Sequence, residues 1–183
     1  MVKFTIRSAL VKAAMLFQAK QDIRYYLNGF RVESNRIAST NGHCLWLHNF
    51  DNDLDITESL ILQFKGAMPA KSFNINFEVG EASGVAFHED IDGKIIAATY
   101  FELIDGIYPD IDKVIAPKED EKPTPVIGFN TEYLSLLQKA TKLVGNPIYP
   151  SVVANLRGPD AVSVFNIRGP EFNSKLFLMP VRL

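Results

Sequence analysis

Apolar and polar residues alternate along residues 2–6, and the period then changes, with Leu10, Ala14 and Phe17 falling at i, i+4 and i+7. A period of two predicts a strand and a period between three and four predicts one buried helix face, so the chain opens as strand then helix. Ser8 stands where an N-cap is expected, because its hydroxyl can accept from an unpaired helical N–H. Three strand-like runs follow, IRYYLNGF (23–30), RIAST (36–40) and CLWLHNF (44–50), separated by the turn formers ESN and NGH. Adjacent residues of a strand point to opposite faces, so Tyr25 and Tyr26 are expected to send their rings apart. The first fifty residues therefore read as a β-α-β-β-β unit.

The same order returns near the C-terminus. PVIGF (125–129) leads into a helix with Asn130 as N-cap, Glu132 in the first turn and Gly145 as its stop. Tyr133, Leu136, Leu137, Ala140, Leu143 and Val144 make its apolar face, and SVVANLRG, AVSVFNIRG and SKLFLMPV are then three strands. The middle of the chain offers strands at SLILQF, FNINFEVG, GVAFHED and KIIAATYFELI, with only KGAMPAKS (65–72) where a helix would belong. It reads as a third unit whose helix has eroded. Charge and three prolines in IAPKEDEKPTP mark a linker. The predicted division is residues 1–115 for the first unit and the degenerate second, 116–124 for the linker, and 125–183 for a C-terminal half-domain. The long run GKIIAATYFELIDG is expected to form an exposed, partly apolar sheet edge, and hence a surface for self-association.

Composition narrows the function. A chain of 183 residues with net charge -2 has no global attraction for nucleic acid or an anionic membrane, so any basic surface must be local. The single cysteine, Cys44, excludes an intrachain disulfide framework. No apolar run approaches the roughly 20 residues that span a bilayer, and the N-terminus lacks the apolar core of a signal peptide. A cytoplasmic protein with no membrane partner is expected. His43, His48 and His88 show no metal-ligand spacing with each other or with Cys44, and there is no phosphate-binding glycine loop or nucleophile elbow. No metal, cofactor or catalytic residue is expected.

Four segments in order, QDIRYYLNG, STNGHCLWL, FELIDGIYPDIDKV and LFLMPVRL, resemble the bacterial DNA polymerase III beta subunit, the sliding clamp. The resemblance implies an α+β DNA clamp fold of β-α-β-β-β units, antiparallel sheets with helices on one face. The chain looks like the middle domain of that family joined to the last half of its third domain. By the same resemblance, a peptide-binding cleft would use Leu27, Thr40, Gly42, His43, Leu45, Pro109, Lys113, Val114, Met179, Pro180, Val181 and Arg182. Apolar side chains and proline suit an extended peptide, and methionine suits a site that must accept several sequences. Asn41 and Cys44 stand where the family has Asp and Arg, which implies a shifted peptide preference.

Basic residues on the helices carry a second expectation. In a clamp-like arrangement Lys12, Lys20, Gln21, Arg24, Lys139 and Lys142 would face double-stranded DNA and hold its phosphates without reading sequence. The implied function is a sliding-clamp-like processivity factor that tethers a DNA polymerase or other replication protein through its clamp-binding peptide, with a homo-oligomeric ring as one implied assembly. Two alternatives stand beside it: a non-encircling clamp mimic acting as adaptor or decoy, and a small-ligand enzyme that reuses the cleft.

Overall fold

The structure, a computed structural model, describes residues 2–116, 126–169 and 173–181. The first unit is β1 (Val2–Arg7), α1 (Ser8–Phe17), β2 (Phe30–Glu33), β3 (Arg36–Thr40) and β4 (Cys44–Asn49). The second is β5 (Leu60–Phe64), β6 (Asn74–Val79), β7 (Ser83–Glu89) and β8 (Ile95–Leu103), followed by a short helix α2 (Ile111–Ile115). The last comprises α3 (Thr131–Val144), β9 (Val152–Asn155), β10 (Ser163–Arg168) and β11 (Asn173–Leu178). Residues 65–72, with Gly66 and Pro69, form bends and turns and no helix. Most of the predicted linker, residues 117–124, lies outside the described residues.

All the strand pairs are antiparallel, in one eleven-stranded sheet ordered β1-β6-β7-β8-β5-β2-β3-β4-β11-β10-β9. The first strands are exchanged between units: β1 leaves its own unit to pair with β6, while β5 pairs with β2. β4 then pairs with β11, from Ser174 opposite His48 to Leu178 opposite Cys44. α1 and α3 pack on each other and on one face of this sheet, α1 against β3 and β4 and α3 against β10 and β11. The structure is thus α+β with its long helices on one face.

β4 shows why the sheet needs cover on both sides. Cys44 and Trp46 join the core beneath the helices, whereas Leu45 and Leu47 join a second cluster with Leu27, Ile111 and Phe177. A strand buried on both faces reads as a continuous apolar run, as CLWL does. The second cluster is what places a groove on the face opposite the helices.

Three expectations are corrected. Tyr25 and Tyr26 do not lie on a strand; residues Tyr25–Asn28 form a 3-10 turn, and the two rings meet edge to face at 5.8 Å. Local bonding explains this, since the Leu27 N–H donates to the Arg24 carbonyl and the Asn28 amide bonds the Asp22 backbone, bending the segment before β2 begins. Ser8 is not a cap: α1 starts on it, and its N–H donates to the Phe73 carbonyl at 2.9 Å. β8 is not an edge strand, because β7 pairs with one side and β5 covers residues 101–103 of the other.

Two buried histidines give the fold a pH dependence. His88 sits between Ser72 Oγ at 3.1 Å and Thr99 Oγ1 at 2.9 Å, and His48 Nδ1 lies 3.2 Å from Ser174 Oγ across the β4–β11 seam. Burial lowers the pKa of both, helped at His88 by Lys12 and opposed at His48 by the Asn173 backbone and Asp51. The unfolded chain therefore takes up protons first, and stability falls as pH drops below the ordinary histidine value of about 6.5. Urea midpoints should decline from pH 7.5 to pH 5.5, and less steeply in His88→Gln; parallel curves for the two proteins would remove this assignment.

Candidate functional site

A groove of about 260 Å³ opens over the second cluster, lined by the turn after β3, by α2 and by the end of β11. The turn is set by Asn41, whose Oδ1 accepts from the His43 and Cys44 N–H groups at 3.0 and 3.1 Å, and by Thr40, whose Oγ1 accepts from the Gly42 N–H. Gly42 has φ +88, a left-handed conformation natural to glycine, and a Cβ there would lie 2.8 Å from the Arg24 guanidinium. Arg24 is clamped to Asp22 by Nε and Nη2 bonds of 3.0 and 2.8 Å. The hydrogen bonds from Arg24 lower the Asp22 pKa to about 2.

The opposite wall is α2. Asp110 caps it by accepting from the Lys113 N–H, and Arg36 holds Asp112 through Nη1 at 2.7 Å and Nη2 at 3.0 Å. Glu33 in turn takes Arg36 Nε, so β2, β3 and α2 share one ion network. Ile111 is buried below, which leaves Val114 partly exposed toward the groove. The Thr40 N–H donates to the Tyr108 hydroxyl at 3.0 Å, tying the segment before α2 to the turn. Burial raises the Tyr108 pKa, so the phenol stays protonated at neutral pH.

Of the predicted cleft residues, Thr40, Gly42, His43, Leu45, Pro109, Val114 and Met179 line this groove. Leu27 lies in the cluster under its floor. Lys113 points away, highly exposed and paired with Asp110 at 3.2 Å. Pro180 and Val181 line a different hollow with residues 126–128, where the Val181 N–H donates to the Gly128 carbonyl. Arg182 lies outside the described residues. Arg24, Cys44, Ile111, Val162 and Phe177 also line the groove. Phe177 carried a signal, the continuous apolar run LFLM within SKLFLMPV, whereas Val162 comes to the groove only through the β10–β11 pairing. Burial pushes the Cys44 thiol up to about 12, so it is an apolar lining group and not a nucleophile.

On the helix side a larger hollow of about 860 Å³ separates the end of α1 from the start of α3, and Lys20, Gln21 and Lys139 border it. Asp22 and Glu132 border it too, so its charge is mixed. Lys12 is elsewhere, with Nζ donating to the Ala70 carbonyl at 3.1 Å, and burial lowers its pKa. Lys142 lies on the last turn of α3, and Arg24 on the groove side. His43 borders both hollows, its ring stacked on Tyr133 at 6.0 Å. Among the described residues no three His, Cys, Asp or Glu side chains converge to hold a metal ion, and no helix is long and apolar enough to cross a membrane.

No protein-family model matches this sequence, and no curated protein does. Solved structures do match. A Helicobacter pylori beta clamp in complex with 3,4-difluorobenzamide superposes over 100% of this chain and 67% of its own length, with TM-score 0.70 and 15% identity. A Caulobacter crescentus DNA polymerase sliding clamp covers 99% of this chain with TM-score 0.68 and 16% identity. A Pseudomonas aeruginosa DNA polymerase sliding clamp covers 100% with TM-score 0.52 and 17% identity. The chain has the bacterial sliding-clamp fold. It spans about two thirds of the length of those clamps, 65% to 67%.

Within this clamp fold the groove depends on one buried phenol. Tyr108→Phe removes the acceptor of the Thr40 N–H and leaves that donor without its partner. A buried unsatisfied donor costs about 1–3 kcal/mol, and the turn should loosen first. Faster hydrogen exchange at Thr40 and Gly42, with the β6–β7 amides unchanged, is the expected result; protection equal to the parent would show that the phenol does not set the turn.

Proposed function

We propose that the chain is a non-enzymatic, sliding-clamp-like factor whose groove takes the clamp-binding peptide of a DNA polymerase or other replication protein. The observation that carries this reading is the composition of the groove. Three segments far apart in sequence bring Leu45, Pro109, Val114, Phe177 and Met179 to one apolar trough, with Arg24 and His43 at its rim. Such a trough accepts the spaced apolar side chains of an extended peptide, while the rim offers polar anchors. Lys20, Gln21 and Lys139, on the helix side, supply contacts for the phosphates of double-stranded DNA, so the peptide and the DNA would occupy opposite faces of one sheet.

The test is titration calorimetry of the chain with a peptide carrying a glutamine followed by spaced apolar residues. Saturable one-to-one binding is expected, with no binding of a version whose apolar residues are changed to serine. Absence of heat, or equal binding of the serine version, would end this reading.

A further inference from the structure

The exchange of first strands between units exposes a gap in the third. In the first unit the opening strand of the meander, β2, is covered by β5; in the second, β6 is covered by β1. The corresponding strand of the third unit is β9, which ends the sheet, and all four of its residues are exposed. Among the described residues, the segment that would be the third unit's own first strand, residues 127–129, makes only an isolated bridge, Gly128 to Val181 beyond β11. That placement matches β5, which lies on the C-terminal end of its own unit's last strand, β8, and offers its other side to β2. The third unit thus has a strand to give and a strand to be covered, at opposite edges.

We infer that two copies of this chain complete each other by reciprocal strand exchange, residues 127–129 of each pairing antiparallel with β9 of the other. The register is chosen by matching faces, as in β1 on β6, where the core residue Ile6, two residues before α1, lies opposite the core residue Ile75. Phe129, two residues before α3, then faces Val152, and Ile127 faces Ala154. The faces agree. Val152 and Ala154 pair with Ile167 and Phe165 of the helix-side core, and Phe129 already packs on Phe165 at 5.4 Å. A register wrong by one residue would have sent these side chains to the other face.

The two ends of the sheet differ in the way this requires. β1 carries Lys3, paired with Glu78, and Arg7, the kind of charge that keeps an edge from pairing. β9 is Val-Val-Ala-Asn with no charge, Val153 is 46% exposed, and Tyr149 just before it is 77% exposed. The donated residues Ile-Gly-Phe are uncharged as well. Because each copy gives and receives the same elements, the contact is isologous and closes as a pair. It involves neither the peptide groove nor DNA.

The experiment needs no variant at first. Light scattering on the chain at micromolar concentration, without peptide or DNA, should give twice the 20.5 kDa chain mass; a single-chain mass overturns the inference and leaves the peptide reading intact. Two proteins, Gly128→Cys and Val153→Cys, each also Cys44→Ala, then locate the contact with a short thiol cross-linker. Covalent dimers should form when the two are mixed and not with either alone. Dimers from Val153→Cys by itself would mean β9 pairing with β9, and no cross-link in a mixture of confirmed mass would place the contact elsewhere; either result overturns the exchange.

Discussion

Phe101→Ala should cost about 3–5 kcal/mol of folding stability, the range for removing a buried aromatic ring, and so a large share of the ~5–15 kcal/mol available to a domain. Phe101 is fully buried on β8, with Phe64 and Phe77 at 6.0 and 5.7 Å between ring centroids. Its cross-strand neighbours are Phe64 on β5 and Gly84 on β7, so the ring lies where the exchanged strand joins the second meander. Gly84 leaves the space: a Cβ there would stand 2.3 Å from the Phe101 ring and 2.3 Å from the Glu78 carbonyl. Gly84→Ala should therefore also destabilise, by overpacking. Urea denaturation followed by circular dichroism reads both. A Phe101→Ala loss below about 1 kcal/mol would show that this cluster is not a centre of the core.

The second large effect is on binding. Val114→Asp combined with Met179→Asp puts a carboxylate on each wall of the groove, at positions already 41% and 44% exposed. Loss of buried apolar anchors costs about 2 kcal/mol or more, so the glutamine-bearing peptide should bind at least about thirtyfold more weakly. The unfolding midpoint should hold, because neither side chain belongs to the two buried clusters. Lys113→Ala is the control: its ammonium pairs with Asp110 outside the groove, an exposed pair of little energetic weight. Unchanged affinity in the double variant, with the fold intact, would place the peptide site elsewhere.

Much of the architecture is legible in the periodicity. The helix of residues 131–144 shows it best, because Asn130 supplies the cap, accepting from the Glu132 N–H at 2.8 Å, and Gly145 follows the last turn. Each of these signals is local, a side chain acting within a few residues of itself. The strands of the two later units begin within two residues of their expected positions, while β9 and β11 end three residues earlier than the runs suggested. Before β2 the reading failed, and a competing local bond was the cause. IRYYLNGF has strand composition, but Asp22, Arg24 and Asn28 bond one another and fold the segment into a turn. Five residues of α2 are too few to show a period, and Arg36, distant in sequence, holds that helix in place.

By itself, then, the sequence determined most of the units: which stretches are the long helices, where most of the strands lie, and that a β-α-β-β-β order begins the chain and an α-β-β-β order follows the linker. It also supplied the residue types of a groove. Only the tertiary structure decided which strand lies beside which, and so that β8 is an inner strand while β9 is the open edge. It alone separated Met179, which lines the groove, from Pro180 and Val181, which turn to another hollow. The reason is physical: periodicity records the face that each residue buries, whereas pairing between strands uses backbone groups that every residue has, and their partners are chosen by packing across the whole sheet.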